Sequence, residues 1–242
     1  MRLLAISTSA ALQSVCLTDD HGELACDEQL VVRNAAQRPS LIQQIRNVLA
    51  HCTLELRDID AFACDVGPGS FTSLRQGLAS LRALAWTLQI PIIPVSSLTC
   101  MLDQMRQRGA IAPCAVAMRA RQGVYFVGVR TLTPEITEQI VADEEASTFF
   151  AGRNLAWLGG ALADETSAIG QLAQASNAAT LRGKIADIAP HARTIAAIAR
   201  ARGLADALPA LHLLPRYLAA SEAEVRGGFA LDDQSIAAES RC

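Results

Sequence analysis

Asp65-Val66-Gly67-Pro68-Gly69-Ser70-Phe71-Thr72-Ser73-Leu74-Arg75 lies between an apolar run, Ile59 to Val66, and a segment in which Leu74, Leu78, Leu81, Ala85 and Leu88 recur at helical spacing. It reads as the end of a strand, a tight turn and a helix from about Phe71 to Leu88 that Pro91 stops. Glycine at 67 and 69 lets the main chain turn sharply, Ser70 or Thr72 is placed to cap the helix, and the free amides of the first turn make a local anion site. The Walker signature Gly-Lys-Ser/Thr is missing. The dinucleotide fingerprint needs a third glycine where Thr72 stands and an acid about 20 residues on, where the chain reads Leu88-Gln89-Ile90-Pro91. Spacing alone therefore leaves two readings of Gly67, Pro68, Gly69, Ser70, Phe71 and Thr72: a structural turn with its cap, or a loop that receives a phosphate. Asp65 reads as a turn-facing aspartate or as an acid at a strand end.

Upstream, Leu3 to Ser7, Ser14 to Thr18 and Glu23 to Val32 read as three short strands, with Asp19-Asp20-His21-Gly22 turning the chain into an antiparallel meander. Pro39-Ser40 opens an amphipathic helix, about Ser40 to Ala50, with Leu41, Ile42, Ile45, Val48 and Leu49 on one face. Downstream, Ile92 to Val95 is a brief buried strand and Ser97 to Arg108 a further helix. The pattern restarts at Pro113: Cys114 to Ala117 and Val124 to Arg130 form a second strand pair, Leu155 to Leu158 is strand-like, and Ala192 to Arg202 is helical. Two halves of this kind imply a duplicated α/β architecture, although no residue-level repeat is visible. The expected division is an N-terminal lobe at 1–108, a degenerate C-terminal lobe at 109–218 and a polar, flexible tail at 219–242.

Composition bounds what such a chain can do. With 242 residues, 51% of them hydrophobic and 19% charged, it can bury a substantial core, and intrinsic disorder is excluded. Aromatic residues reach only 4%, so that core must be built from Ala, Leu, Ile and Val. A net charge of −3, with Lys184 the single lysine, argues against an unaided grip on a phosphate backbone. No run approaches the roughly 20 apolar residues that span a bilayer. Ser7, Thr8, Ser9 and Gln13 break up the N-terminal apolar stretch before a signal-peptide core can form, so a mature cytoplasmic protein is expected. Seven scattered cysteines without a C-x-x-C pair suit buried, reduced thiols. His21, His51, His191 and His212 fall in no metal-binding spacing, and Ser70 is not in a nucleophile elbow, so no catalytic residue and no metal ligand is assigned.

Taken with Leu4-Ala5-Ile6-Ser7-Thr8-Ser9, Ser14-Val15-Cys16-Leu17 and Pro94-Val95-Ser96-Ser97-Leu98, the glycine stretch resembles the TsaB (YeaZ-type) family. The similarity continues through Arg119-Ala120-Arg121-Gln122-Gly123-Val124-Tyr125 and ends at Pro215-Arg216-Tyr217-Leu218. It implies a two-lobed α/β fold of the actin/Hsp70/sugar-kinase type with a mixed sheet in each lobe, and a part in making threonylcarbamoyladenosine (t6A) in tRNA. The implied role is that of a non-catalytic subunit that binds and stabilises a catalytic TsaD-type subunit. A TsaE-type ATPase would complete the assembly, and tRNA would be reached only through the complex. The chain would have no cofactor of its own, with ATP at the subunit junction, and it would pair with itself when alone. The implied interface lies on the first two helices, with Ile42, Ile45, Leu49, Leu74, Leu78, Leu81 and Ala85 as its candidates. The family's acid after the first strand is Ser7 here, its glycine after Phe-Thr is Ser73, and the acid of its Asp-Ala-Arg stretch is Arg119. These departures weigh against the rival expectation, a stand-alone ATP-binding phosphotransferase or ATPase of the same fold, in which an acid at the first position helps to hold magnesium. A third reading, peptidase activity, needs a metal or nucleophile site that these residues do not supply.

Overall fold

The computed structural model describes residues 1–30, 40–133 and 135–218. The end of the expected third strand at 31–32, Pro39 and the tail at 219–242 lie outside these residues. The first lobe begins with β1 (Leu3–Ser7), β2 (Leu12–Asp19) and β3 (Gly22–Leu30), an antiparallel meander, and continues with α1 (Leu41–His51). Next come β4 (Ala61–Asp65), α2 (Phe71–Leu88), β5 (Ile92–Val95) and α3 (Ser97–Gln107). β4 pairs parallel to β1 and β5 parallel to β4, giving the sheet order β3-β2-β1-β4-β5.

The second lobe repeats this plan element for element. β6 (Cys114–Arg121), β7 (Val124–Arg130) and β8 (Ile136–Ala142) form the meander, followed by α4 (Asp143–Phe150), β9 (Trp157–Gly160), α5 (Ala168–Ser176), β10 (Gly183–Ile185) and α6 (Ala192–Arg202). Its sheet order is β10-β9-β6-β7-β8, the same topology read from the other edge, with the same parallel and antiparallel neighbours. The expected two-lobed α/β architecture with two mixed sheets is thus what the chain adopts, duplicated in topology although not in residues. Four elements of the second lobe, β8, α4, α5 and β10, add to the strands and helix read from the sequence there.

Strand alternation sorts the first sheet into two apolar faces. Leu4, Ile6, Val15, Leu17, Phe62 and Cys64 point toward α1 and α2, which supply Ile45, Val48, Leu49, Leu74, Leu78 and Leu81. Leu3, Ala5, Cys16, Ala61, Ala63, Ile93 and Val95 point to the other side, where α6 covers them with Ala192, Ile195, Ala196 and Ala199. In the second lobe, α4 and α5 cover one face, and α3 covers the other with Leu98, Met101, Leu102 and Met105.

The closing helix of each lobe therefore packs on the other lobe's sheet, and α3 and α6 meet between the two sheets. This corrects the division at residue 108: the boundary separates the sheets, but α3 of the first segment belongs to the second core and α6 of the second segment to the first. The small alanines of α6 allow its close approach to a sheet face that is itself alanine-rich, which is how a chain this poor in aromatics fills its centre.

Candidate functional site

The glycine turn forms because three main-chain segments converge on it through four hydrogen bonds. Val66 N–H donates to Val95 O at 3.0 Å, Ser97 N–H to Gly67 O at 2.9 Å, Ser70 N–H to Ser9 O at 2.7 Å, and Arg216 N–H to Val66 O at 2.7 Å. The glycines leave room for these partners. A Cβ on Gly69 would stand 2.3 Å from Ser9 O, and one on Gly67, whose φ is +107°, would stand 2.7 Å from Arg216 O. The space opened by Gly67-Pro68-Gly69 is thus filled by the turn after β1 and by the C-terminal segment. Ser70 occupies the N-cap position of α2, but its side chain makes no cap bond and donates instead to Ser73 Oγ at 3.0 Å, while Thr72 lies exposed in the first turn. The expected side-chain cap from Ser70 is therefore not formed. Phe71 stacks with Tyr217 at 5.0 Å between ring centroids, and the Arg75 guanidinium lies 3.9 Å over the Phe71 ring while its Nε donates to the Tyr217 hydroxyl at 2.8 Å.

Asp65 is the electrostatic centre of this assembly. It is buried and accepts four hydrogen bonds from one turn: the Ser7 hydroxyl at 2.7 Å, Thr8 N–H at 3.0 Å, Ser9 N–H at 3.1 Å and the Ser9 hydroxyl at 2.6 Å. The Ser97 hydroxyl donates in turn to Ser9 Oγ at 3.0 Å. Burial pushes the Asp65 carboxyl above its ordinary range, and the hydrogen bonds from Ser9, Ser7 and Thr8 pull it partly back. Both sequence readings of Asp65 give it a local role. Its position beside Ser7 on the neighbouring parallel strand makes it a cross-strand clasp instead. The signal in the sequence is an acid closing one apolar run opposite the Ser-Thr-Ser that closes another.

The candidates on the first two helices divide sharply. Ile45, Leu49, Leu74, Leu78, Leu81 and Ala85 are buried under α1 and α2 against the first sheet, so the expectation that they meet a partner is corrected: they are core residues. Ile42 is 43% exposed and remains on the surface. The outward face of α2 is instead Thr72, Gln76, Ala79, Ala83 and Trp86, the last 56% exposed. Helical spacing identifies the apolar stripe but does not say which side of it faces the sheet, because alanines make the outer stripe nearly as apolar as the inner one.

Between the lobes lies an open cleft of about 660 Å³ lined by Ala10 and Ala11 from the turn after β1, Met101 of α3, Arg119, Gly160, Asp164, Glu165, Ala186, Ile188, Ala189 and Pro190 among others. Its charged lining is one guanidinium against two carboxylates. Beside the glycine turn, Glu138 of β8, its side chain only 4% exposed, accepts from the Ser96 and Thr99 hydroxyls and pairs with Arg216 at 2.6 Å. Sequence reasoning misses Glu138, which lies in a stretch that the sequence does not mark as a strand. Among the described residues no cluster of three or more histidine, cysteine or carboxylate side chains could hold a metal ion, and no helix is long and apolar enough to cross a membrane.

Comparison with known proteins places this geometry. Residues 33–225 match the family described as TsaD: tRNA N6-adenosine threonylcarbamoyltransferase. The tRNA threonylcarbamoyladenosine biosynthesis protein TsaB of Haemophilus influenzae is 35% identical over 127 residues, 52% of this chain and 52% of that one. The protein of the same name from Escherichia coli is 33% identical over 126 residues, 52% and 53% of the two chains. The chain spans about half the length of these curated relatives in the matched region. The solved structure of YeaZ from Pseudomonas aeruginosa superposes with a TM-score of 0.68 at 25% identity, covering 90% of this chain and 99% of that one. The chain therefore belongs to the TsaD-type tRNA N6-adenosine threonylcarbamoyltransferase family, in its TsaB (YeaZ-type) form.

Proposed function

We propose that the chain serves t6A biosynthesis as a non-catalytic subunit that binds and stabilises a catalytic TsaD-type subunit through the outward faces of α1 and α2. The observation that carries this reading is the surface of those helices. Trp86 and Ile42 stand exposed on the same side of the first sheet, and Ala79 and Ala83 leave α2 smooth enough for another helix to approach closely. Aromatic anchors beside small residues suit a helix-on-helix interface. In the partner's absence the same face would pair two copies of this chain about a twofold axis.

The net charge of −3 supports a division of labour in which tRNA is held by the partner. ATP would then act at the subunit junction, with a TsaE-type ATPase completing the assembly. The two carboxylates that line the interlobe cleft oppose a bound triphosphate there and weigh against independent ATP chemistry.

The test is co-elution of the full chain with its TsaD-type counterpart. Ala83→Arg and Trp86→Glu are each expected to weaken the complex by about tenfold or more, which corresponds to about 1.4 kcal/mol. Leu132→Ser, at an 85% exposed site in the second lobe, should leave it intact. Absence of a complex, an unchanged t6A content of bulk tRNA after depletion, or ATP turnover by the chain alone would each overturn the reading.

A further inference from the structure

Two thiols that play no part in the site above face each other across a strand pair. Cys16 on β2 and Cys26 on β3 are direct partners in the antiparallel register, and both side chains join the apolar layer beneath α6. An antiparallel pair sets its Cα atoms about 4.5 or 5.5 Å apart according to its type, and a disulfide spans Cα separations of about 4.4 to 6.8 Å. Either Cα separation falls within the span of a disulfide, and direct opposition puts the two Cβ atoms about 4.5 to 5.5 Å apart, within a short approach of the roughly 3.5 to 4.5 Å that the bond needs. Cys16 is fully buried, whereas Cys26 is partly open to solvent, so a small reagent can reach one thiol and not the other.

The surroundings are polar on the open side. Cys16 Sγ donates to Glu23 at 3.7 Å and Cys26 Sγ to Glu28 at 3.8 Å. Arg193 of α6 pairs with Glu23, and His191 with Glu28 at 2.7 Å. Interaction between the two thiols, assisted by the Arg193 charge, holds the Cys26 thiol below its usual range against burial and the two glutamates and raises that of Cys16, whereas the thiols of Cys52, Cys64, Cys100 and Cys114 are all pushed up by burial.

We propose that Cys16 and Cys26 are an oxidation-sensitive pair that closes to a reversible cross-strand disulfide when the chain meets a hydroperoxide. In the first step the Cys26 thiolate attacks one peroxide oxygen. The O–O bond breaks, Cys26 becomes a sulfenic acid, and the leaving hydroxide takes a proton to become water. In the second step Cys16 sulfur attacks Cys26 sulfur, its thiol proton passing toward Glu23. The S–S bond forms, the S–O bond breaks, and the leaving hydroxide takes that proton to depart as a second water. Two thiols are oxidised by two electrons and one hydrogen peroxide is reduced to two waters. A dithiol reductant reverses the bond by exchange.

The experiment treats the reduced full chain with hydrogen peroxide, alkylates what remains free, and reads intact mass and mapped peptides. The expected result is the loss of two hydrogens, a Cys16–Cys26 linked peptide, two fewer alkylated thiols, reversal by dithiothreitol and a higher melting temperature for the oxidised chain. Cys16→Ala should retain the sulfenic acid on Cys26, trapped by dimedone in higher yield than in the parent, and Cys26→Ser should abolish both products. Circular dichroism confirms that each variant is folded. Alkylation of both Cys16 and Cys26 at peroxide doses that already oxidise Cys52, or linkage of Cys26 to another cysteine instead, would overturn the proposal.

Discussion

Replacing Asp65 with Asn keeps the size of the side chain and removes its charge, so it separates what the carboxylate contributes from what the shape contributes. Burial raises the folded carboxyl above its unfolded value, which means that the native state holds the proton more tightly. The resulting contribution favours the folded state below the unfolded pKa and is lost as pH rises through the folded one, a tenfold difference in proton affinity between the two states being worth about 1.4 kcal/mol. The stability of the parent relative to Asp65→Asn is therefore expected to be greatest in acid and to shrink toward neutral pH. Urea unfolding of both proteins across that range measures it, and a difference that stays constant with pH would show that the charge of Asp65 is not felt. Asp65 also illustrates what a linear reading misses. Ser7, Ser9 and Asp65 are each an ordinary strand-end residue, and their significance arises only when β1 and β4 lie side by side.

Among the elements, α2 is where sequence and structure agree most closely and also where they part. Its limits, Phe71 and Leu88, are legible because a glycine turn precedes it, leucines recur within it and Pro91 follows. The orientation of its faces is not, since Ala79 and Ala83 outside match Ala85 inside in character. Two substitutions separate the faces. Leu81→Ala empties a fully buried position and should cost about 2–5 kcal/mol, whereas Trp86→Ala alters an exposed one and should stay within about 0.5 kcal/mol while weakening partner capture. Thermal and denaturant unfolding read the first effect and co-elution the second. In the second lobe the obstacle is different. β8 carries Thr137, Glu138 and Gln139 at its centre, and β10 has only three residues, so neither presents a sustained alternation of apolar side chains. α4 does leave a trace, its opening Asp143-Glu144-Glu145 being the acidic first turn that complements a helix dipole.

At the scale of the molecule, the two lobes are fastened beside the glycine turn by Glu138. It gathers hydroxyls from the start of α3 and the guanidinium of the C-terminal segment onto one edge strand. Glu138→Ala leaves those donors without their acceptor and should cost about 1–3 kcal/mol. Hydrogen exchange should then quicken at the start of α3 and across residues 213–218, while the centre of the first sheet stays protected. An even loss of protection over the whole chain would argue against a local fastening. The exchange of closing helices has a consequence for how the protein is made. As the chain leaves the ribosome, the first sheet is complete once β5 has emerged, yet the alanine-rich side of that sheet waits uncovered until the entire second sheet and α6 have followed. The newborn N-terminal half thus carries an open apolar surface while the second sheet is being made, a period in which chaperones and premature self-association compete for it, and a message truncated before α6 would yield a half-domain unable to bury its own centre.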